Sequence, residues 1–224
     1  MSTNTLCLFI FILLTGLTAC IAVDEKPVQT ISGSGNVITE NREVSGFTAV
    51  TLQGQGKVMI DQTGSESLRI TADDNIMPYL ETVVKGNTLY LRTTENAVFT
   101  KTTDLTYHIT AATLDSVELS GTGSFTINDL DTETWRVTLP GAGSITVSGQ
   151  TTAQTVKMDG AGSYFAENLV SEQATIESSG AGTAVVQVSD TLDVTINGLG
   201  KVEYIGNPEV TKEINGVGSV SKRP

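Results

Sequence analysis

The sequence feature that most limits the fold is a Gly-x-Gly tripeptide that recurs along the chain. Eight copies occur, with first glycines Gly33, Gly54, Gly121, Gly141, Gly160, Gly180, Gly198 and Gly216. The last six copies are separated by 20, 19, 20, 18 and 18 residues. A nearly constant period of this length is typical of stacked repeats, in which each repeat buries its apolar face against its neighbours.

The residues that flank these tripeptides alternate between apolar and polar. Val117 and Leu119 precede one copy and Phe125 and Ile127 follow it, and similar pairs flank most later copies, with Ser178 as an interruption. Alternation with period two predicts extended strands with one apolar face. Counting by two along the strand, both glycines lie on the same face as the apolar residues. We therefore expect each tripeptide to form an inward-facing corner with no room for a Cβ atom.

Each repeat is too short for a βαβ crossover and contains no helical pattern, so equivalent strands should stack in parallel. We therefore predict an all-β fold, a parallel β-helix (β-solenoid) with a spacing of about 4.8 Å between coils. An antiparallel sandwich with glycine-rich turns is the alternative, and recurrence of the corners in register with their flanks disfavours it. The middle residues of the tripeptides should form an outward row: Ser34, Gln55, Thr122, Ala142, Ala161, Ala181, Leu199 and Val217.

The repeat is interrupted between Gly56 and Gly121. Here the sequence predicts irregular strands around residues 68–70 and 89–91, a hairpin at residues 83–89 and a turn or a single helical turn at residues 73–78. We expect this portion to cap the N-terminal end of the solenoid. At the other end, the charges and the proline of residues 222–224 discourage another chain from pairing with the last coil.

The N-terminus has the pattern of an export signal. Residues 5–19 are uncharged and mostly apolar, and they lead into Leu17-Thr18-Ala19-Cys20, which resembles the lipobox of bacterial lipoprotein precursors. We predict a lipoprotein signal peptide at 1–19, lipidation of Cys20, a tether at 20–35 and one β-solenoid domain at 36–224. The alternative is that Cys20 is only a small residue after an ordinary cleavage site. Ile21 after the cysteine favours an outer membrane lipoprotein, facing the periplasm or the exterior.

Charge and cysteine content exclude several classes of protein. The chain has 13 Lys and Arg against 25 Asp and Glu, a net charge of −12, which argues against a nucleic-acid partner. The same charge opposes adsorption to anionic lipid, so attachment to a membrane needs the lipid anchor. Cys7 lies inside the signal, so the mature chain retains only Cys20 and has neither an internal disulfide nor a thiolate metal cluster.

The search for catalytic chemistry yields no site. His108 is the only histidine, its strand parity predicts an outward side chain, and no nucleophile motif accompanies it. The acidic residues considered for glycoside cleavage are Asp73, Asp74, Asp104, Asp159, Glu177 and Glu203, and nothing in their spacing brings two of them together. Calcium-binding repeats and EF-hand loops are absent from the sequence. We assign no catalytic, cofactor-binding or metal-binding residue, and no cofactor.

With these motifs in place, the chain resembles the bacterial head GIN domain family, described as auto-transporter adhesins. The resemblance covers residue 42 to the C-terminus. It rests on residues 42–50 (REVSGFTAV), the strand around Tyr90, the Gly-x-Gly corners and the Ile-Asn-Gly sequences at Ile196 and Ile214. It implies a parallel β-helix carried by exported lipoproteins, and it supplies no catalytic residues.

The sequence thus indicates a non-enzymatic, lipid-anchored cell-envelope protein with an adhesin-like binding or structural role. Its expected partners are the membrane, through the lipid anchor, and an envelope or surface protein or polysaccharide. One alternative from a different class is a polysaccharide-active enzyme that uses surface carboxylates on the same scaffold. Another is a structural module that oligomerises end to end or side to side.

Overall fold

A computed structural model of the chain describes residues 28–94 and 97–223. The predicted signal peptide and Cys20 lie outside these residues. Apart from one 3-10 helix (Met77–Tyr79), the regular elements of the described chain are strands. In chain order they are β1 (Gln29–Ser32), β2 (Val37–Arg42), β3 (Ala49–Leu52), β4 (Gln55–Gln62), β5 (Ser67–Asp73), β6 (Leu80–Lys85), β7 (Thr88–Thr93), β8 (Ala97–Lys101), β9 (Leu105–Ala111), β10 (Ser116–Leu119), β11 (Thr122–Leu139), β12 (Ala142–Met158), β13 (Ala161–Ser178), β14 (Ala181–Ile196), β15 (Leu199–Ile205), β16 (Glu209–Ile214) and β17 (Val217–Lys222).

The long strands β11 to β14 each form one coil of a parallel β-solenoid. Successive coils pair in parallel, with Ala142 paired to Thr122 on one side and to Ala161 on the other, and the register shifts within each pairing, as between Ile127 and Leu130. The same register continues from Ala181 to Leu199 in β15. The predicted parallel β-helix is confirmed, and the antiparallel sandwich alternative is wrong.

Seven of the eight Gly-x-Gly corners stack directly on one another. From Thr122 onward, the N–H of each middle residue donates to the carbonyl oxygen of the first glycine in the preceding corner, as from Ala142 to Gly121 (3.0 Å) and from Ala161 to Gly141 (3.1 Å). The middle residues project outward in the predicted row, and the side chains of Leu199 and Val217 are 61% and 75% exposed.

The first tripeptide is the exception, and its predicted place in the row of corners was wrong. Gly33 donates its N–H to Lys101 rather than to another corner, and a Cβ atom there would collide with the Asp73 carboxylate. The middle residue, Ser34, binds Asp74 and Asn75. A Gly-x-Gly sequence alone therefore does not define a corner of the solenoid.

The stacked corners require glycine because the backbones of successive coils approach closely. A Cβ atom on Gly160 would meet the carbonyl oxygen of Gly141, and one on Gly180 would meet that of Gly160, each closer than real Cβ contacts allow. The predicted lack of room for a Cβ atom is confirmed, and at these two positions the atoms that fill the space belong to the backbone of the preceding coil. Only two of the stacked corner glycines, Gly56 (φ 132°) and Gly143 (φ 146°), have a positive φ angle, so contact between coils is the main reason.

The core consists of apolar ladders that run along the solenoid axis. One ladder is formed by residues that pair in sequence from coil to coil: Tyr107, Val58, Phe125, Ile145, Tyr164, Ala184, Val202 and Val220. All but Val220 are almost completely buried. Because one coil contributes only one residue to each ladder, no single coil could bury this core alone.

The interrupted segment extends the solenoid by one more level. β7 pairs in parallel with β3, and β9 pairs in parallel with β4. No Gly-x-Gly sequence lies between β7 and β9, and β8 pairs with β1 in a separate two-stranded sheet. This level is therefore invisible to a search for the repeat.

Antiparallel strands cover the N-terminal end, as the sequence predicted. β2 and β5 extend from β9, and β6 pairs with β7 in a hairpin whose turn contains Gly86 at φ 63°. The residues before and within the 3-10 helix contribute buried Ile76 and Met77. β1, which lies in the segment expected to be a tether, pairs with β8.

Candidate binding groove

A groove of about 520 Å³ crosses four successive coils where each coil turns between its two halves. It is lined by residues of β11, β12, β13 and β14: Asp131, Thr132, Glu133, Gln150, Thr151, Thr152, Val170, Ser171, Glu172 and Ser189. The groove runs along the axis of the solenoid because each of the four coils contributes one to three residues to its lining.

The register of the coils sets the spacing of chemical groups along the groove. Asp131 pairs with Gln150, which pairs with Val170, so a carboxylate, an amide and a half-exposed aliphatic side chain follow one another. Such groups recur at about 4.8 Å, the separation of strands in a sheet. An extended polar ligand lying along the axis could accept and donate hydrogen bonds at every coil.

A buried hydrogen-bond network lies beside the groove. The Tyr164 hydroxyl donates to Oε1 of Gln154 (3.0 Å), Nε2 of Gln154 donates to the Ser171 hydroxyl (2.8 Å), and that hydroxyl donates to the Gln187 carbonyl oxygen (2.8 Å). Burial raises the pKa of Tyr164, so this hydroxyl keeps its proton and remains a donor. The network satisfies the buried polar groups and joins three coils at the floor of the groove.

Three of the carboxylates considered from the sequence stabilise the N-terminal end. Asp73 is fully buried and accepts hydrogen bonds from the N–H groups of Gly35 and Thr103 (both 2.8 Å). The Thr103 N–H above all lowers the pKa of Asp73. The Ser34 hydroxyl and the Asn36 amide lower the pKa of Asp74, and Asp104 accepts a hydrogen bond from its neighbour Thr106.

The other three carboxylates lie on the outer surface near corners. Asp159 pairs with Lys157 (3.4 Å), and Glu203 pairs with Lys201 (2.8 Å), which lowers the pKa of Glu203. Glu177 is exposed and lies beside Lys157 on the neighbouring strand. None of the six lines the groove.

His108 faces outward from β9, as its strand parity predicted. It lies between Met59 and Arg69 on the adjacent strands and lines a separate, smaller pocket of about 290 Å³ with Asp61. No nucleophilic side chain is hydrogen-bonded to His108 in the described residues. Across the same part of the chain, no group of three or more His, Cys, Asp or Glu side chains is arranged to hold a metal ion.

The carboxylates that line the groove are Asp131, Glu133 and Glu172, and sequence reasoning missed them. The available signal was the repeat itself: Glu133 and Glu172 occupy the same position relative to their corner glycines, Gly121 and Gly160, two coils apart. Counting from the corners would have placed both side chains on one edge of the solenoid.

The family model described as "Putative auto-transporter adhesin, head GIN domain" matches residues 46–208. The match covers most of the chain, and the chain belongs to the head GIN domain family. No curated protein shows significant similarity to it.

Solved structures of bacterial proteins share the fold. A "putative adhesin" from Bacteroides fragilis is 23% identical and superposes with a TM-score of 0.73 over 86% of this chain and 100% of its own. A "putative adhesin" from Parabacteroides distasonis is 19% identical (TM-score 0.55, 87% and 100% coverage). A "putative lipid binding protein" from the same species is 21% identical (TM-score 0.54, 88% and 100% coverage).

Membership of a family named for adhesins indicates a protein of the cell surface or envelope and points away from an enzyme. Among residues 28–94 and 97–223, no helix is long and apolar enough to cross a membrane.

Proposed function

We propose that this chain is a non-enzymatic outer membrane lipoprotein whose solenoid binds an extended polar polymer of the cell envelope, a polysaccharide chain, along the groove from Asp131 to Ser189. The observation that carries the proposal is the polar lining of the groove, in which Asp131 pairs with Gln150 and Thr132 pairs with Thr151 on the next coil, and residues of β13 and β14 extend the lining. Sugar hydroxyls donate to carboxylates and accept from amides and alcohols, and the half-exposed Val170 side chain offers an apolar contact for a sugar ring.

The rigidity of the groove supports a binding role. Its floor is fixed by the Gln154–Ser171 hydrogen bond, and the Thr151 hydroxyl donates to the Glu133 carbonyl oxygen of the preceding coil (3.3 Å). A rigid row of donors and acceptors loses little conformational entropy when a ligand binds.

Binding is tested with purified envelope polysaccharide and the variant Asp131→Asn/Glu133→Gln/Glu172→Gln. We expect this variant to lose at least about 10-fold in affinity, because three hydrogen-bonded carboxylates are replaced at once. The matched control is Asp159→Asn/Glu177→Gln/Glu203→Gln, which removes the same charge from a surface outside the groove. Equal binding by the two variants, or no binding by the parent protein, contradicts the proposal.

The lipid anchor is tested separately at Cys20. We expect Cys20→Ala to move the protein from the membrane fraction to the soluble fraction, because several acyl chains at about 0.8 kcal/mol per buried methylene hold the parent in the bilayer. Cys7→Ala is the control, since Cys7 lies inside the predicted signal peptide and should leave fractionation unchanged. Membrane retention of Cys20→Ala counts against the anchor. Protease treatment of intact cells then distinguishes a surface-facing from a periplasmic solenoid.

The second candidate function is a polysaccharide-active enzyme, favoured by the presence of Asp131 and Glu133 of β11 and Glu172 of β13 in one groove. Glycoside cleavage requires a pair of carboxyl groups, one of them protonated. Incubation of the parent protein with envelope polysaccharide, followed by an assay for new reducing ends, separates the two functions. New ends that disappear in the groove variant establish the enzyme, and unchanged polysaccharide with retained binding supports the adhesin-like role.

A further inference from the structure

The last coil of the solenoid places a lysine where the preceding coils place an aliphatic residue. Lys212 of β16 pairs with Val194, and that position is occupied in the earlier coils, counting back, by Ile176, Val156, Val137, Val117 and Val50. The aliphatic residues of this ladder are almost completely buried, and Lys212 is exposed.

A second inward position of the same coil also carries a lysine. Lys222 of β17 pairs with Tyr204, which pairs with Val186, and Val186 pairs with Ala166. Val186 and Ala166 are fully buried, whereas Lys222 is exposed and donates to Oδ1 of Asn207. Two core ladders of the solenoid therefore end in an ammonium group.

The remainder of this coil has the properties of a surface that pairs with another strand. Within the described residues, β16 and β17 each pair only with the preceding coil, so the outer edge of each strand presents unpaired N–H and C=O groups. Ile214 is 39% exposed, and Val210 and Val220 pack against the core while remaining partly open. Without the lysines, the inward positions of this coil would be apolar, and its outer edge would present unpaired backbone N–H and C=O groups.

A second copy of this chain could meet that end through its own last coil. The opposite end of the solenoid differs, because its outermost strands, β2 and β6, run antiparallel to their neighbours. Two last coils facing each other would place Lys212 and Lys222 of both copies in one closed core. The inward positions of β16 and β17 hold no carboxylate, because the acidic residues of β16, Glu209 and Glu213, have the outward parity.

We propose that Lys212 and Lys222 prevent end-to-end docking of two copies of this chain through their last coils. Burial of unpaired ammonium groups carries a large desolvation cost, and like charges in one low-dielectric core repel each other. Inward-pointing lysines on an edge strand protect that edge from pairing. The two lysines thus leave the C-terminal coil stable in water and closed to a second copy.

The test compares the self-association of the parent with that of Lys212→Val/Lys222→Val in the full-length protein carrying Cys20→Ser for solubility. We expect the parent to remain monomeric through this end and the valine variant to dimerise, with a dissociation constant at least about 100-fold lower, by sedimentation equilibrium. Hydrogen exchange should show new protection in β16 and β17 of the variant. A monomeric valine variant with a native circular dichroism spectrum, or protection confined to other strands, overturns the proposal.

Two charge controls and one alternative variant complete the test. Lys157→Val/Lys201→Val removes the same charge from outward positions and should leave the monomer unchanged. Lys212→Glu/Lys222→Glu should also stay monomeric, because charge rather than lysine itself blocks docking. Should the valine variant precipitate, Lys212→Thr/Lys222→Thr provides the same comparison with uncharged side chains suited to strands. Dimerisation of either charge control contradicts the proposal.

Discussion

The two ends of the solenoid differ in how the exposed core is closed. At the N-terminal end, antiparallel strands and a 3-10 helix cover the ladders, and Ile76, Met77 and Leu80 are buried beneath them. At the C-terminal end no element follows β17 in the described residues, and Ile214 is 39% exposed. One end is covered by additional strands and a helical turn, whereas the other presents a coil edge that carries Lys212 and Lys222.

The largest expected effect is a loss of stability, and it should be greater for a corner substitution in the middle of the solenoid than for one in the last coil. Gly160→Val should lower the free energy of unfolding by on the order of 4 kcal/mol or more, because the new side chain collides with the Gly141 backbone and the coils on both sides hold it in place. Gly216→Val creates the same collision with Gly198 in the last coil, which can separate locally, so it should cost less. Chemical denaturation measures both values.

Ala161→Val is the control for this comparison, since Ala161 lies in the same corner with an exposed side chain. It should change stability by no more than about 0.5 kcal/mol. A Gly160→Val protein that unfolds like the parent would show that the corners are not in contact.

The next largest effect is expected for isoleucine-to-alanine substitutions, which can be compared directly at the two ends. Ile76→Ala removes a fully buried side chain from the covered end and should cost about 2–4 kcal/mol. Ile214→Ala removes a side chain that is 39% exposed, and it should cost less than about 1 kcal/mol. Equal losses in a thermal or denaturant unfolding experiment would mean that the last coil is covered in solution.

Lowering the pH should destabilise the N-terminal end before it destabilises the middle of the solenoid. The pKa of Asp73 is lowered by the Thr103 N–H relative to its ordinary value of 3.8, so the folded state binds this proton less readily than the unfolded state. Its stabilising contribution is therefore present above that ordinary value and is lost as the pH falls through the lower, folded value. Hydrogen exchange at decreasing pH should show earlier loss of protection around residues 33–36 and 101–104 than in β12 and β13.

Asp73→Asn provides the control for the acid experiment. It should lower stability near neutral pH and remove part of the acid dependence, because no carboxylate remains to be protonated. An acid transition of unchanged shape in this variant would assign the effect to other groups.

The smallest effect is expected for the ion pair of Lys201 and Glu203 near the open end. The Lys201 side chain is half exposed, so water and salt screen the attraction. Lys201→Ala should change the free energy of unfolding by about 0.5 kcal/mol or less, measured at low and high salt. A loss of more than about 2 kcal/mol would show that this outer surface contributes to the stability of the C-terminal coils.

The regular coils could be predicted from the sequence because each one repeats the same local pattern. The regular spacing of the Gly-x-Gly sequences from Gly121 to Gly216 specifies the corners and the parallel stacking. The alternation of apolar and polar residues beside them specifies which side chains face inward. The hairpin at residues 83–89 could also be predicted, because a glycine at position 86 is typical of a two-residue turn. The structure gives Gly86 the positive φ angle that such a turn requires.

The remaining features depend on contacts between residues far apart in the chain. The level formed by β7 and β9 has no glycine corner, and its pairing with β3 and β4 is visible only in three dimensions. Gln154 is buried on the inward face of β12, where the sequence pattern predicts apolar residues. Its hydrogen-bond partners Tyr164 and Ser171 lie on the next coil. The groove combines residues from four coils, so no single segment carries its pattern.

The stacking of the corners is tested most directly by cross-linking neighbouring coils through their exposed middle residues. Ala142 and Ala161 pair in register, so their Cα atoms lie at about the 4.8 Å strand spacing, which suits a disulfide. In a Cys7→Ser/Cys20→Ser background, Ala142→Cys/Ala161→Cys should form an intramolecular disulfide on mild oxidation, and Ala142→Cys/Ala153→Cys should not. A folded protein in which the first pair stays reduced, or in which both pairs cross-link equally, would contradict the stacked solenoid.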